Sequence, residues 1–210
     1  MKHIIPLLLI LALPVLSHAQ RIHAYVTSGV TLAQIEGDEL KGFLHPGAVA
    51  GVGALAALDD RYRYGLSVEA IFNQRGTHSS SSNPYRTHLT LNYVDIPLLF
   101  HYQDPYGGML FGLGAVYSRL VRQPHGKLQY HPAAFTPDTT DMTFLSNDLS
   151  LLADLRFTIW KGLQFNLRYQ HSIIPIKRDW HFTEVVGQVK HEIYRNAYNQ
   201  SISLRLIWQF

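Results

Sequence analysis

The chain of 210 residues contains no cysteine, which excludes disulfides, thiolate metal sites and lipid attachment at a processed N-terminal cysteine. Charge is scarce too: Asp, Glu, Lys and Arg make up 16% of the residues, against roughly 25% in ordinary soluble domains. Beyond residues 1–19 no apolar run approaches the roughly 18–20 residues that a membrane-crossing helix needs. The formal charge of +3 is small and dispersed, which argues against nucleic acid as a partner. Phosphate-cradling glycine loops and paired catalytic carboxylates are also missing from the sequence.

What is present begins with an export signal. Lys2 supplies a positive start, Ile4 to Leu16 an apolar stretch interrupted by Pro6 and Pro14, and Ser17-His18-Ala19 small residues before a cut at Gln20. This predicts a signal peptide over 1–19 and a single exported domain over 20–210. The mature part, about 190 residues, is enough for one sizeable domain.

That domain alternates with period two. From Leu149 to Ile159 the odd positions are Leu149, Leu151, Ala153, Leu155, Phe157 and Ile159, and the even positions between them are polar except Leu152. The pattern resumes after Lys161-Gly162 with Leu163, Phe165, Leu167 and Tyr169. Successive strand side chains point to opposite faces, so these are two amphipathic strands joined by a tight turn. The last ten residues repeat the pattern, with Ile202, Leu204, Leu206, Trp208 and Phe210 on one face. Tyr62 to Phe72 alternates likewise. In Thr87 to Tyr102 the apolar parity switches near Pro97, which predicts a bulge at Asp95 that turns this carboxylate inward. Ile22 to Ala33, Pro46 to Leu58 and Met109 to Ser118 bring the count of strands to eight.

The connections alternate in length. Short links fall near Asp59-Asp60, Asp104-Pro105 and Lys161-Gly162, and long polar links near 34–44, 74–86, 122–147 and 176–196. Tight turns at one end and long loops at the other characterise outer-membrane barrels. The expected fold is therefore all-β, an eight-stranded antiparallel up-and-down transmembrane β-barrel in the bacterial outer membrane, with both termini periplasmic. A soluble lipocalin-like barrel would carry its apolar face inside. Alternation alone does not separate the two, but aromatics near strand ends (Tyr62, Tyr102, Tyr106, Trp160, Trp208, Phe210) favour interfacial girdles.

The segments Gly29-Val-Thr-Leu-Ala-Gln-Ile-Glu-Gly-Asp38, Gln74-Arg-Gly76 and Leu91-Asn-Tyr-Val-Asp-Ile-Pro-Leu-Leu-Phe100 resemble those of the PorT-like outer-membrane β-barrel proteins. A glycine-rich fifth strand around Gly112 and Gly114 extends the resemblance over essentially the whole mature chain. The resemblance implies an eight-stranded, non-enzymatic barrel embedded in outer-membrane lipid, with an association to protein secretion. The C-terminal Phe210, with Trp208, resembles the signal read by the barrel-assembly machinery.

Strand parity directs Arg63, Glu69, Asp95, Asp154, Arg156, Arg168 and Arg205 into the lumen. An eight-stranded barrel has room only for side chains there, so these charges should pair in a structural network. The twelve histidines lie without the His-x-x-x-His spacing of a metalloprotease, so neither metal nor cofactor is expected. His171-Ser172 suggests a lipid hydrolase, but neighbours on a strand face opposite ways and cannot pair; no catalytic residue is expected. Tyr130, Phe135, Trp180, Tyr194 and Arg195, on the two longest links, are candidate contacts for cell-envelope or secretion proteins. A small-solute porin and a lipid-modifying enzyme are the alternative readings.

Overall fold

The computed structural model describes residues 22–38, 40, 42–79, 88–106, 108–127, 135–137, 143–186 and 189–210; the expected signal peptide and Tyr130 lie outside these. The strands are β1 (Ile22–Glu36), β2 (His45–Ala57), β3 (Tyr64–His78), β4 (His88–Gln103), β5 (Met109–Lys127), β6 (Phe135–Pro137), β7 (Asn147–Trp160), β8 (Leu163–Ser172), β9 (Lys177–Val186) and β10 (Val189–Gln209). Eight of them close a barrel in the order β1-β2-β3-β4-β5-β7-β8-β10, and β10 returns to β1. That seam is antiparallel and continuous from Tyr25↔Gln209 to Glu36↔Tyr198. Closure pairs each of these eight strands on both sides, as a barrel wall in lipid requires.

The faces are inverted relative to a soluble barrel. On β3, Ser67, Glu69, Asn73 and Arg75 are buried, while Leu66, Val68 and Phe72 are exposed. On β7, Ser150, Asp154 and Arg156 are buried and Leu151 is 55% exposed. This orientation answers the lipocalin alternative, which needs the apolar face inside. The exposed face is apolar all round, and Tyr64, Phe100 and Tyr102 stack on it near one end (ring centroids 5.7–6.0 Å).

Tight turns gather at that end, with the first and last strands' outer ends beside them. Lys161-Gly162 joins β7 to β8 with Gly162 in the left-handed region (φ +78°). A Cβ there would stand 2.8 Å from the Gln209 carbonyl oxygen. Between β2 and β3 the Asp59 carboxylate accepts from the Tyr64 amide (2.9 Å), and Tyr62 takes φ +56°. Tyr62 therefore belongs to the turn, and the third strand starts at Tyr64 and runs past the expected Phe72 to His78.

Two further expectations are corrected. No bulge falls on β4 at Asp95: the register with β3 is the same at Tyr64↔Tyr102 and at His78↔His88, and burial alternates without a slip. The ladder to β5 does shift between Thr90 and Asn92 and between Asn92 and Tyr93, where the extra residues are on β5. Asp95 does face inward, but so do Leu89, Leu91 and Tyr93, because the lumen is apolar at that level. Nor is 176–196 a simple loop. The first half of β10 outruns the barrel, pairs with β9 from Val189↔Val186 to Ala197↔Lys177, and β9 pairs in turn with β6. A ribbon thus stands over the loop end.

Candidate functional site

The lumen is filled in layers, and the layers follow from strand parity. Nearest the turns, inward positions of β1, β3, β7, β8 and β10 supply Tyr25, Glu69, Asp154, Arg156, Arg168 and Arg205. Glu69 accepts from Arg168 Nη1 (2.8 Å) and Nη2 (3.0 Å), Arg156 Nη2 (2.9 Å), Arg205 Nη1 (3.3 Å) and the Tyr25 hydroxyl (2.6 Å). Asp154 accepts from Arg168 Nε (2.7 Å), Arg156 Nε (2.8 Å) and Arg205 Nη2 (3.3 Å). Arg205 also donates to Asn166 Oδ1 (2.7 Å). Three guanidiniums thus enclose two carboxylates, and every carboxylate oxygen accepts at least one hydrogen bond, three of the four oxygens more than one. Such dense compensation is what buried ions need, since each would otherwise carry a large desolvation cost. Room for these side chains comes from glycines at the paired positions of adjacent strands: a Cβ on Gly53, the β2 partner of Tyr25, would meet its ring at 2.5 Å.

A second layer lies six strand positions further along. Arg75 is fully buried, pairs with Asp95, donates to Asp148 (3.0 Å) and Ser118 (2.9 Å), and covers the Tyr93 ring at 4.5 Å. Asn73 and Asn199 complete it by donating to Asp95 (3.0 Å) and Asp148 (3.2 Å). Leu99, Val116 and Leu152 form an apolar cluster of the lumen on neighbouring strands. Above the second layer sits an apolar cap of Ile35, Leu89, Leu91, Leu120, Phe144, Ile176 and Trp180, with Phe144 edge-on to Trp180 (5.9 Å).

The residues expected inside separate into three groups. Glu69, Asp154, Arg156, Arg168 and Arg205 meet in one layer, and Asp95 joins the other. Arg63 does not enter the lumen. Its position has inward parity, but it precedes β3 in the turn, where its half-exposed side chain lies 3.8 Å from Asp59. Arg75 and Asp148 were missed. Asp148 stands on the polar parity of its strand, and Arg75 escaped because the third strand runs further than its apolar pattern.

Of the loop candidates, Tyr194 is 61% exposed and stacks on His181 (5.0 Å). Arg195 is exposed and borders a groove of about 370 Å³ with Gln34, Glu36 and Gln200. Trp180 is a correction: it is buried as part of the cap, because β9 folds its indole back over the lumen. Phe135 lies on β6 by backbone pairing with Glu184, and Tyr130 falls outside the described residues. Trp208 and Phe210 are exposed on the outer face at the turn end. Ser172 points inward and donates to Asp148 (2.9 Å), while the register sets His171 opposite Leu151 on the other face.

The outer membrane protein beta-barrel domain model matches residues 4–210. Among solved structures, Neisserial surface protein A aligns over 90% of this chain and 97% of its own, at 11% identity and a TM-score of 0.48. The attachment invasion locus protein of Yersinia pestis aligns over 90% and 98%, at 10% identity and a TM-score of 0.46. OprG from Pseudomonas aeruginosa aligns over 89% and 94%, at 13% identity and a TM-score of 0.36. At these values the likenesses carry no inference about activity. No curated protein matches. A closed barrel with its apolar face outward, and a family match over nearly its whole length, make this chain a member of the outer membrane protein beta-barrel domain family.

Proposed function

We propose that this protein is a non-enzymatic, PorT-like scaffold in the outer membrane that acts through its loop end and does not conduct solutes. In this reading the tight turns and both termini face the periplasm and the ribbon of β9 and β10 faces outward, following the usual asymmetry of such barrels. Export by a cleaved segment over 1–19, and reading of Trp208 and Phe210 by the assembly machinery, belong to the same proposal. The observation that carries it is the filled lumen: two ion-paired layers and an apolar cap stand in series on the axis. A lumen filled in this way leaves the surfaces outside it to do the work. The exposed Tyr194 and Arg195 on the ribbon suit contacts with cell-envelope or secretion proteins.

The test is planar-bilayer recording on purified protein whose folding is verified by heat-modifiable migration. The expected result is no discrete conductance steps. Regular steps would overturn the reading and put the small-solute porin in its place.

A further inference from the structure

The loop-end rim carries a group of histidines that no spacing in the sequence announces, because each comes from a different strand. His78 ends β3 and His88 begins β4, and the register sets them directly opposite one another. Their Nδ1 atoms are 3.4 Å apart, and the rings meet edge-on at 5.5 Å. His45, the first residue of β2, brings its ring to 5.1 Å from that of His88. On β5 the backbone of His125 is paired with Thr90 at the same level.

The Nδ1 separation is long for a hydrogen bond between two imidazoles. It equals the spacing of two nitrogens bound to one ion: at Zn–N distances of 2.0–2.1 Å and a tetrahedral angle they lie about 3.4 Å apart. The other nitrogen of His88 points to the Thr90 hydroxyl (Nε2 to Oγ1, 3.2 Å). A metal-bound imidazole typically donates its second N–H in this way, which fixes its tautomer and orientation. Thr90 Oγ1 is also 3.5 Å from His45 Nε2, so His45 buttresses the same hydroxyl. His78 and His88 are both exposed and an ion can reach them from solvent.

We propose that His78 and His88 form a surface site for a divalent transition-metal ion of the zinc class. Nδ1 of each ring is a ligand, and Thr90 and His45 are positioning residues. Among the described residues no group of three His, Asp or Glu converges on one point, so water fills the remaining positions. Neutral imidazole selects zinc, nickel or copper over the hard magnesium ion, which prefers oxygen.

The experiment uses untagged, refolded protein in detergent micelles, titrated with Zn²⁺ by calorimetry at neutral pH, with Mg²⁺ as the control ion. One Zn²⁺ should bind per chain, and Mg²⁺ should not. His78→Ala and His88→Ala should each weaken Zn²⁺ binding by at least about tenfold, and Thr90→Val by about tenfold, with heat-modifiable migration unchanged. His181→Asn, on the ribbon, should leave the affinity as it is. Selective ¹⁵N labelling of histidine in the wild-type protein gives a readout independent of variant folding: the Nδ1 signals of His78 and His88 should shift together. Absence of Zn²⁺ binding, unchanged affinity in the His78→Ala and His88→Ala variants, or shifts confined to other histidines would each overturn the proposal.

Discussion

Glu69 holds more of the lumen together than any other residue described, since donors from β1, β7, β8 and β10 all end on its two oxygens. Glu69→Gln would leave Asp154 as the sole carboxylate facing three guanidiniums. Removing one partner from a buried ion network typically costs about 3–5 kcal/mol. We expect a loss of that size in urea unfolding from micelles, and a loss below about 1 kcal/mol would mean the layer is open to water. Asp38, in the loop after β1, is buried and accepts from the Leu40 amide (2.9 Å). Burial pushes its carboxyl up from 3.8 to about 7, partly offset by hydrogen bonds from Thr77 and Leu40. The folded loop therefore binds a proton that the unfolded chain has released. The stabilisation is complete below about pH 4 and is lost as pH rises toward 7, by roughly 2–4 kcal/mol locally. Asp38→Asn should flatten the pH dependence of hydrogen exchange at the Leu40 amide. A slope equal to that of wild type would show that Asp38 is not its source. Parity made five residues of the turn-end layer legible in the sequence, because polar residues on alternate positions of apolar strands have nowhere else to go. Parity failed at Arg63, whose place depends on where a strand begins, and the loop reading failed at Trp180, whose place depends on where a ribbon folds back; alternation encodes neither.

At the scale of the elements, β4 shows where the rule breaks. A switch of apolar parity implies a bulge only on the premise that apolar means lipid-facing, which would put Leu89, Leu91 and Tyr93 on the wall. That premise requires a polar lumen at the same height. At the loop end the lumen is capped by Phe144, Ile176 and Trp180, so β4 can be apolar inward there and apolar outward below with its own alternation unbroken; the extra residues at Asn92 belong to β5. The ribbon was hidden for a related reason: β9 and the first half of β10 lack a lipid-facing side, so their alternation is weak and their composition is that of a loop. The second half of β10 was fully legible, since both its faces are committed. The residue after it, Phe210, makes one backbone bond, from its amide to the Ala24 carbonyl (2.9 Å), and its ring is 72% exposed. Little of the finished barrel depends on that ring, and even complete burial of such a side chain contributes only about 1.5–3 kcal/mol. If the terminal aromatic is a recognition signal, deleting Phe210 should slow insertion in cells far more than it lowers the urea midpoint of barrel already folded. Pulse-chase measurement of heat-modifiable protein separates the two, and equal insertion rates would remove Phe210 from the assembly signal.

For the whole molecule, the arrangement of blocks along the axis matters more than the strength of any one. An ion entering from the turns meets a cavity of about 140 Å³ that reaches as far as Arg156. Beyond it the first layer has one positive charge in surplus, three arginines against two acids, and the second has one negative charge in surplus, Arg75 against Asp95 and Asp148. Neither a cation nor an anion finds both layers favourable, and neither could pass without separating ion pairs that hold the wall strands together. The apolar cap is the third block, and it is the one tied to the ribbon, through Trp180. This ordering yields a prediction that distinguishes a plug from a lid. Replacing residues 178–195 by a short polar linker removes Trp180 and the ribbon but leaves β8, the lower half of β10 and both charged layers intact. The shortened protein should still fold to a heat-modifiable barrel, because its closure rests on the β1–β10 ladder, which starts at Tyr198. It should also remain silent in planar bilayers, since two blocks survive. Were it to conduct while the full-length protein does not, the cap would be a gate and the charged layers permeable. In that event the ribbon would be read as a regulator of a channel instead of a platform for partners.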